Sequence, residues 1–344
     1  MRQVKLVLVA TMSAALAACG GGGSDVPAKP KFTSQVSFGD SLSDVGSYRV
    51  ATIGSTPTNF VGQFTINAAP GVSTNWTQMM AAKLGVAAPC AAAVGGFGVA
   101  RTPAAGLTVA GCYGYAQGGS RVTSAAGVGN TGATGPMTEP VVTQVLNHLA
   151  ATGNKFTGSE IVTVMAGAND VFTQAGMVGA GAITPASAVA AVQTAATELA
   201  AVVNTQIIAK GAAHVVLVNV PDIASTPQAT PTTAGLLNLL VTSFNATLKV
   251  SVPDSAVVLN VDAYTASKDE VANPAKYNLT NVVGTACNLP LASSSSLTCN
   301  ATNLTLGVTA ADHYLFADKV HPTPYGHLLF ATYVLQAMTN KGWY

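Results

Sequence analysis

Ser41 stands in Phe38-Gly39-Asp40-Ser41-Leu42, directly after an apolar run, where a turn would present its hydroxyl at the end of a strand. A serine is a weak nucleophile alone and needs a base that a third group orients. Of the five histidines, His321 has a carboxylate at useful spacing: in Asp318-Lys319-Val320-His321 one short loop delivers acid and imidazole together. His327, inside a helical pattern, is the rival base, and His313 beside Asp312 is a further one. Acyl transfer also needs donors for a tetrahedral oxyanion, each worth about 3 to 4 kcal/mol of barrier lowering. Asn169, in Gly167-Ala168-Asn169-Asp170, can supply a side-chain N–H. The amide of Ser41 and that of a glycine in Tyr115-Ala116-Gln117-Gly118-Gly119-Ser120-Arg121 would complete the set, with Gly119 placed ahead of Gly118. Blander roles stand beside these. Asp40 and Asp44 suit capping a following helix or hydrogen-bonding the turn. Asp170 suits a structural role, and Trp76, Tyr115 and Phe172 suit core packing as well as an acyl pocket.

Such residues must be held by elements. Four runs are continuously apolar, as parallel strands covered on both faces tend to be: Lys31–Phe38, Ile161–Ala166, His214–Val220 and Ala256–Val261. Helical patterns follow at Thr184–Lys210, Ala234–Val250 and Pro324–Lys341, the last with proline in its first turn. Alternating strands and helices predict an α/β domain on a parallel sheet, whose reactive residues collect at the carboxyl ends of the strands. The polar residues singled out above lie there. Ala88–Gly114 and Asn273–Asp312 break the alternation and read as two long loops.

Charged residues are 8% of the 344, hydrophobic ones 49%, and the net charge is +1. That balance gives no basic footprint for nucleic acid and no signature of disorder. At the N-terminus, Arg2 and Lys5 precede an uncharged apolar run, Leu6–Ala18, shorter than the roughly 20 residues a spanning helix needs. The run ends Leu16-Ala17-Ala18-Cys19 and is followed by Gly20-Gly21-Gly22-Gly23-Ser24. This resembles a bacterial lipobox: 1–18 a lipoprotein signal peptide, 19–30 a lipidated Cys19 with a flexible linker, 31–344 the folded domain. Gly20 after the cysteine points to an outer-membrane-anchored or secreted protein. Four cysteines remain, and in an exported chain an even number predicts disulfides, with sequence-local pairing of Cys90 to Cys112 and Cys287 to Cys299. Each closes a loop short enough to be worth about 3 kcal/mol. Neither CxxC nor HExxH occurs to suggest a metal.

Four stretches together resemble the SGNH, or GDSL, serine esterases and lipases: FGDSLSDVGSY from Phe38, YAQGGSRV from Tyr115, GAND from Gly167 and DKVH from Asp318, in the family's order. NVPDIASTP from Asn219 is similar to a stretch of its larger bacterial lipases. Gly114 stands where relatives often carry Asn. The resemblance implies a flavodoxin-like three-layer α/β/α sandwich and no metal or organic cofactor. It implies Ser41 as nucleophile, His321 as base and Asp318 as acid, with Ser41, Gly119 and Asn169 around the oxyanion. The activity implied is hydrolysis of carboxylic esters, lipid or small, through an acyl-enzyme. The alternatives are a carbohydrate (acetyl) esterase, an acyltransferase of the same fold, or a non-catalytic surface-binding lipoprotein.

Overall fold

A computed structural model describes residues 29–50, 61–96, 99–103, 112–129, 138–290, 292, 295–305, 307 and 312–344. The signal peptide, Cys19 and the glycine tether lie outside the described residues. Four strands, β1 (Gln35–Gly39), β4 (Ile161–Met165), β5 (Val215–Val218) and β6 (Val258–Val261), form one parallel sheet in that order. Beside β1 the stretch around Gly114 adds an irregular fifth strand: Ser37 N donates to Tyr113 O at 2.9 Å, and Tyr115 N to Ser37 O at 2.8 Å. Counted in chain order this is the flavodoxin-like arrangement.

The strands read as unbroken apolar runs because both faces are covered. On one face Val36, Phe38, Val162, Val164, Val215 and Leu217 pack beneath α2 (Val141–Ala151), α3 (Ala168–Gly179), α4 (Pro185–Val202) and α5 (Ala234–Ser251). On the other, Ile161, Met165, Val216 and Val218 meet α1 (Trp76–Leu84), α6 (Ala263–Ala272) and α7 (Pro324–Asn340). The protein is therefore an α/β/α sandwich. The helix expected over Thr184–Lys210 is α4 followed by a π-helical turn, Val203–Ile208. By length and composition Pro185–Ile208 could cross a membrane, yet it packs against α3 and α5 as part of the core.

Both expected disulfides are present, Cys90–Cys112 and Cys287–Cys299. The two stretches read as long loops are more structured than that. The first carries an antiparallel hairpin, β2 (Ala93–Gly96) with β3 (Val99–Pro103). The second carries β7 (Asn281–Thr285), which pairs in parallel with β8 (Tyr314–Phe316), and a 3-10 turn, Ser296–Thr298. These strands are three to five residues long and β7 is only partly buried, so they leave no periodic pattern to read.

Register fixes where the site forms. Gly39 pairs with Met165, Met165 with Val218 and Val218 with Val261, so the strands end in one row. Whatever follows those four residues emerges along one edge of the sheet.

Candidate active site

β1 ends at Gly39 with φ +152°, and a Cβ there would collide with the carbonyl of Met165 on β4. Only glycine lets the two backbones approach so closely at the point where the chain turns into Asp40-Ser41. The side chain of Gln144, fully buried on α2, grips that turn: its Oε1 accepts from Gly39 N at 2.9 Å and its Nε2 donates to Gly39 O at 2.8 Å. Asp40 accepts from Leu42 N at 3.1 Å. Asp44 accepts from Gly46 N (2.9 Å), Ser47 N (2.7 Å), Ser47 Oγ (2.6 Å) and Gly118 N (2.9 Å). Both carboxyls thus brace the turn, and among the described residues 42–50 there is no helix for them to cap. Burial pushes the Asp40 carboxyl up to about 6.

From the far end of the chain, β8 and the start of α7 deliver a second loop. His321 Nε2 lies 2.8 Å from Ser41 Oγ, and its Nδ1 lies 2.8 and 2.9 Å from the two oxygens of Asp318. Asp318 also accepts from the amides of Val320 (2.9 Å), His321 (2.8 Å) and Ser296 (2.7 Å). Burial alone would raise its pKa, but the facing His321 ring and these donors outweigh burial and hold the carboxyl well below the usual range. An ionised Asp318 can only accept, which assigns the proton to Nδ1 and leaves Nε2 as acceptor for the Ser41 hydroxyl.

Candidate donors line the same cleft. The Gly118 amide is taken by Asp44, whereas those of Gly119 and Ser41 have no acceptor among the described residues. Gly119 has φ +81°, and a Cβ there would strike the carbonyl of Val128. Asn169 enters from the first turn of α3, where its Nδ2 donates to Ser120 O at 2.9 Å and keeps a second hydrogen free. Asp170 is structural: it pairs with Arg121 Nε at 3.0 Å and accepts from Val122 N at 3.0 Å, fixing α3 to the segment that carries Gly119.

Ser41, Gly119, Asn169 and His321 line one cleft of about 390 Å³. Its other walls are mainly apolar: Leu42, Phe64, Val128, Phe172, Ile223 and Leu297. The Phe64 ring lies 4.9 Å from the His321 ring. Pro221, Ile223 and Thr226 of the NVPDIASTP stretch form part of the wall, so that motif shapes the cleft.

The remaining candidates lie elsewhere. His327 is buried at the start of α7, its Nδ1 accepting from Trp76 N at 3.4 Å, and His313 sits 2.7 Å from Asn278 O. Trp76 and Tyr115 are core residues, while Phe172 reaches the cleft. Sequence reasoning missed Gln144, Phe64 and Ser296, none of which belongs to a recognisable motif. It also missed Tyr48, whose hydroxyl donates to Gly118 O at 2.5 Å and which stands within the FGDSLSDVGSY block itself.

A parallel α/β/α sandwich with a serine, an imidazole and a carboxylate in hydrogen-bonded series at its strand ends is a hydrolase architecture. A family model described as GDSL-like lipase/acylhydrolase matches residues 36–334, and the chain belongs to that family of acyl hydrolases. Among solved structures it is similar to an acetyl xylan esterase (15% identity, 88% of this chain and 98% of that one, TM-score 0.39). It is also similar to a putative GDSL-like lipase from Parabacteroides merdae (12%, 91% and 98%, 0.43). A third similar structure is a carbohydrate acetylesterase from Sinorhizobium meliloti (14%, 90% and 99%, 0.39). No curated protein matches the sequence.

Proposed function

We propose that the protein is an exported serine ester hydrolase that works through an acyl-enzyme, with Ser41 as nucleophile, His321 as general base and Asp318 as the orienting acid. The observation that carries this reading is His321 standing between Ser41 Oγ at 2.8 Å and Asp318 at 2.8 Å. His321 Nε2 takes the hydroxyl proton as Ser41 Oγ attacks the ester carbonyl, and Asp318 stabilises the imidazolium that results. The developing oxyanion is held by the amides of Ser41 and Gly119 and by Asn169 Nδ2. Collapse expels the alcohol, protonated by His321, and water activated by the same imidazole then releases the acid.

The apolar walls suit an uncharged acyl chain longer than acetyl, so a lipid or a medium-chain ester is the substrate proposed. Cys19 is the proposed lipidation site, tethering the domain to a bacterial cell envelope through the glycine linker.

The test uses a soluble form beginning at Gly20, made in an oxidising compartment, on p-nitrophenyl esters from acetate to palmitate. Hydrolysis that disappears in Ser41→Ala, with an optimum beyond acetate, is the expected result. An acetate optimum would shift the assignment to polysaccharide deacetylation. A folded Ser41→Ala protein that still cleaves normally would refute the mechanism.

A further inference from the structure

Asp318 receives three backbone N–H groups, and one of them comes from a separate stretch of chain. Val320 and His321 donate to Oδ1 from its own loop, whereas Ser296 N reaches Oδ2 at 2.7 Å. Ser296 opens the turn Ser296–Thr298, whose neighbours Ser295, Leu297 and Thr298 line the cleft. That turn lies inside the loop closed by Cys287–Cys299, and both cysteines are buried. Cys287 N donates at 3.0 Å to the carbonyl of Ala317, the residue before Asp318. The disulfide therefore joins the backbone that carries the acid to the turn that donates to it. Asn67 secures the turn from the other side: its amide N donates to Cys299 O at 2.8 Å, and its Nδ2 lies 3.1 to 3.2 Å from the carbonyls of Ser296, Leu297 and Cys299.

We propose that the Cys287–Cys299 loop positions the acid for catalysis, with Ser296 as the positioning residue. It keeps Asp318 ionised and aimed at His321 while its flanks wall the acyl site. This rests on the triad reading above. Cys90–Cys112 is the natural control, since its segment pairs with the Gly114 backbone beside β1 and gives no donor to Asp318.

A hydrogen bond to a charged group is worth enough that its loss should slow turnover roughly ten- to hundredfold. The experiment compares Cys287→Ala/Cys299→Ala with Cys90→Ala/Cys112→Ala, each alone and combined with Asp318→Asn. It measures kcat and KM on p-nitrophenyl butyrate, and the titration of the Asp318 carboxyl by 13C NMR. In the first pair kcat falls by that factor and the Asp318 titration moves up towards the ordinary carboxylate range. In the Asp318→Asn background the same pair costs less than about threefold, the non-additivity expected of groups acting through one another. The second pair leaves the Asp318 titration in place. Equal losses in both backgrounds, or an unmoved titration, overturn the proposal. Should the first pair not fold, Asn67→Ala loosens the same turn with the disulfide intact and takes the same readouts. The NMR arm needs no ester turnover: a wild type inactive on every ester would sink the triad reading while a shifted Asp318 titration still upheld the positioning.

Discussion

Replacing Gln144 by methionine keeps the length of the side chain and removes its amide. In the native protein that amide, fully buried, makes the only hydrogen bond to Gly39 N among the described residues, at 2.9 Å, and donates to Gly39 O at 2.8 Å and Glu139 O at 3.0 Å. The carbonyls keep other donors, Gln117 N for Gly39 at 3.2 Å and Ser120 Oγ for Glu139 at 2.7 Å. Gly39 N–H is left buried and unpaired. An orphaned donor costs about 1–3 kcal/mol, and the other bonds lost add about 1 kcal/mol, so the variant should be less stable by about 2–4 kcal/mol. In a domain of this size that is a fall in Tm of roughly 3–6 °C. The turn it releases carries Ser41 two residues on, and a displacement of about 1 Å can cost on the order of a hundredfold in rate. Thermal unfolding and kcat on p-nitrophenyl butyrate are the measurements. A Gln144→Met protein with unchanged Tm and unchanged kcat would refute the claim that this amide holds the nucleophile turn.

Asn169→Ala removes one of the three proposed oxyanion donors and should lower kcat by about 10²- to 10³-fold with KM little changed, read from steady-state kinetics. Burial raises the Asp40 carboxyl from 3.8 to about 6, so its contribution to stability is complete below pH 4 and is lost as pH rises through 6. Asp40→Asn should therefore gain on the wild type by up to about 3 kcal/mol between pH 4 and pH 7, followed by urea midpoints. His148 runs the other way. Burial among Phe38, Tyr115 and Phe156 lowers it to about 4, so the stability of the neutral ring is present above pH 6.5 and is lost as pH falls through 4. His148→Phe should match the wild type near pH 7 and exceed it at pH 4.

The parts of the site that were legible in the sequence are those whose chemistry and backbone placement coincide. Ser41, Asn169 and the Asp318–His321 pair each follow an apolar strand or precede a helix, and the register of the sheet brings those ends into one row. What was hidden acts across the chain without a local pattern. Gln144 reaches a residue 105 positions away, and Ser296 donates to one 22 positions away through a backbone amide that any residue but proline could supply. The helices α1, α2, α3 and α6 went unassigned because their apolar faces are short or mixed with polar residues. In α3, Asn169 and Asp170 are themselves buried. The hairpin β2–β3 was missed because it pairs with itself rather than with the main sheet and half of β2 is glycine, so no alternation marks it.

The order in which the site's parts occur along the chain has a consequence for when it becomes active. The turn that carries the proposed nucleophile leaves the ribosome well before the proposed base, His321, which follows 280 residues later. Until then Ser41 is an ordinary alcohol with no partner to take its proton. On that reading a chain interrupted before His321 carries no working site. On the proposed reading, activity waits until these two distant segments have met across the sheet.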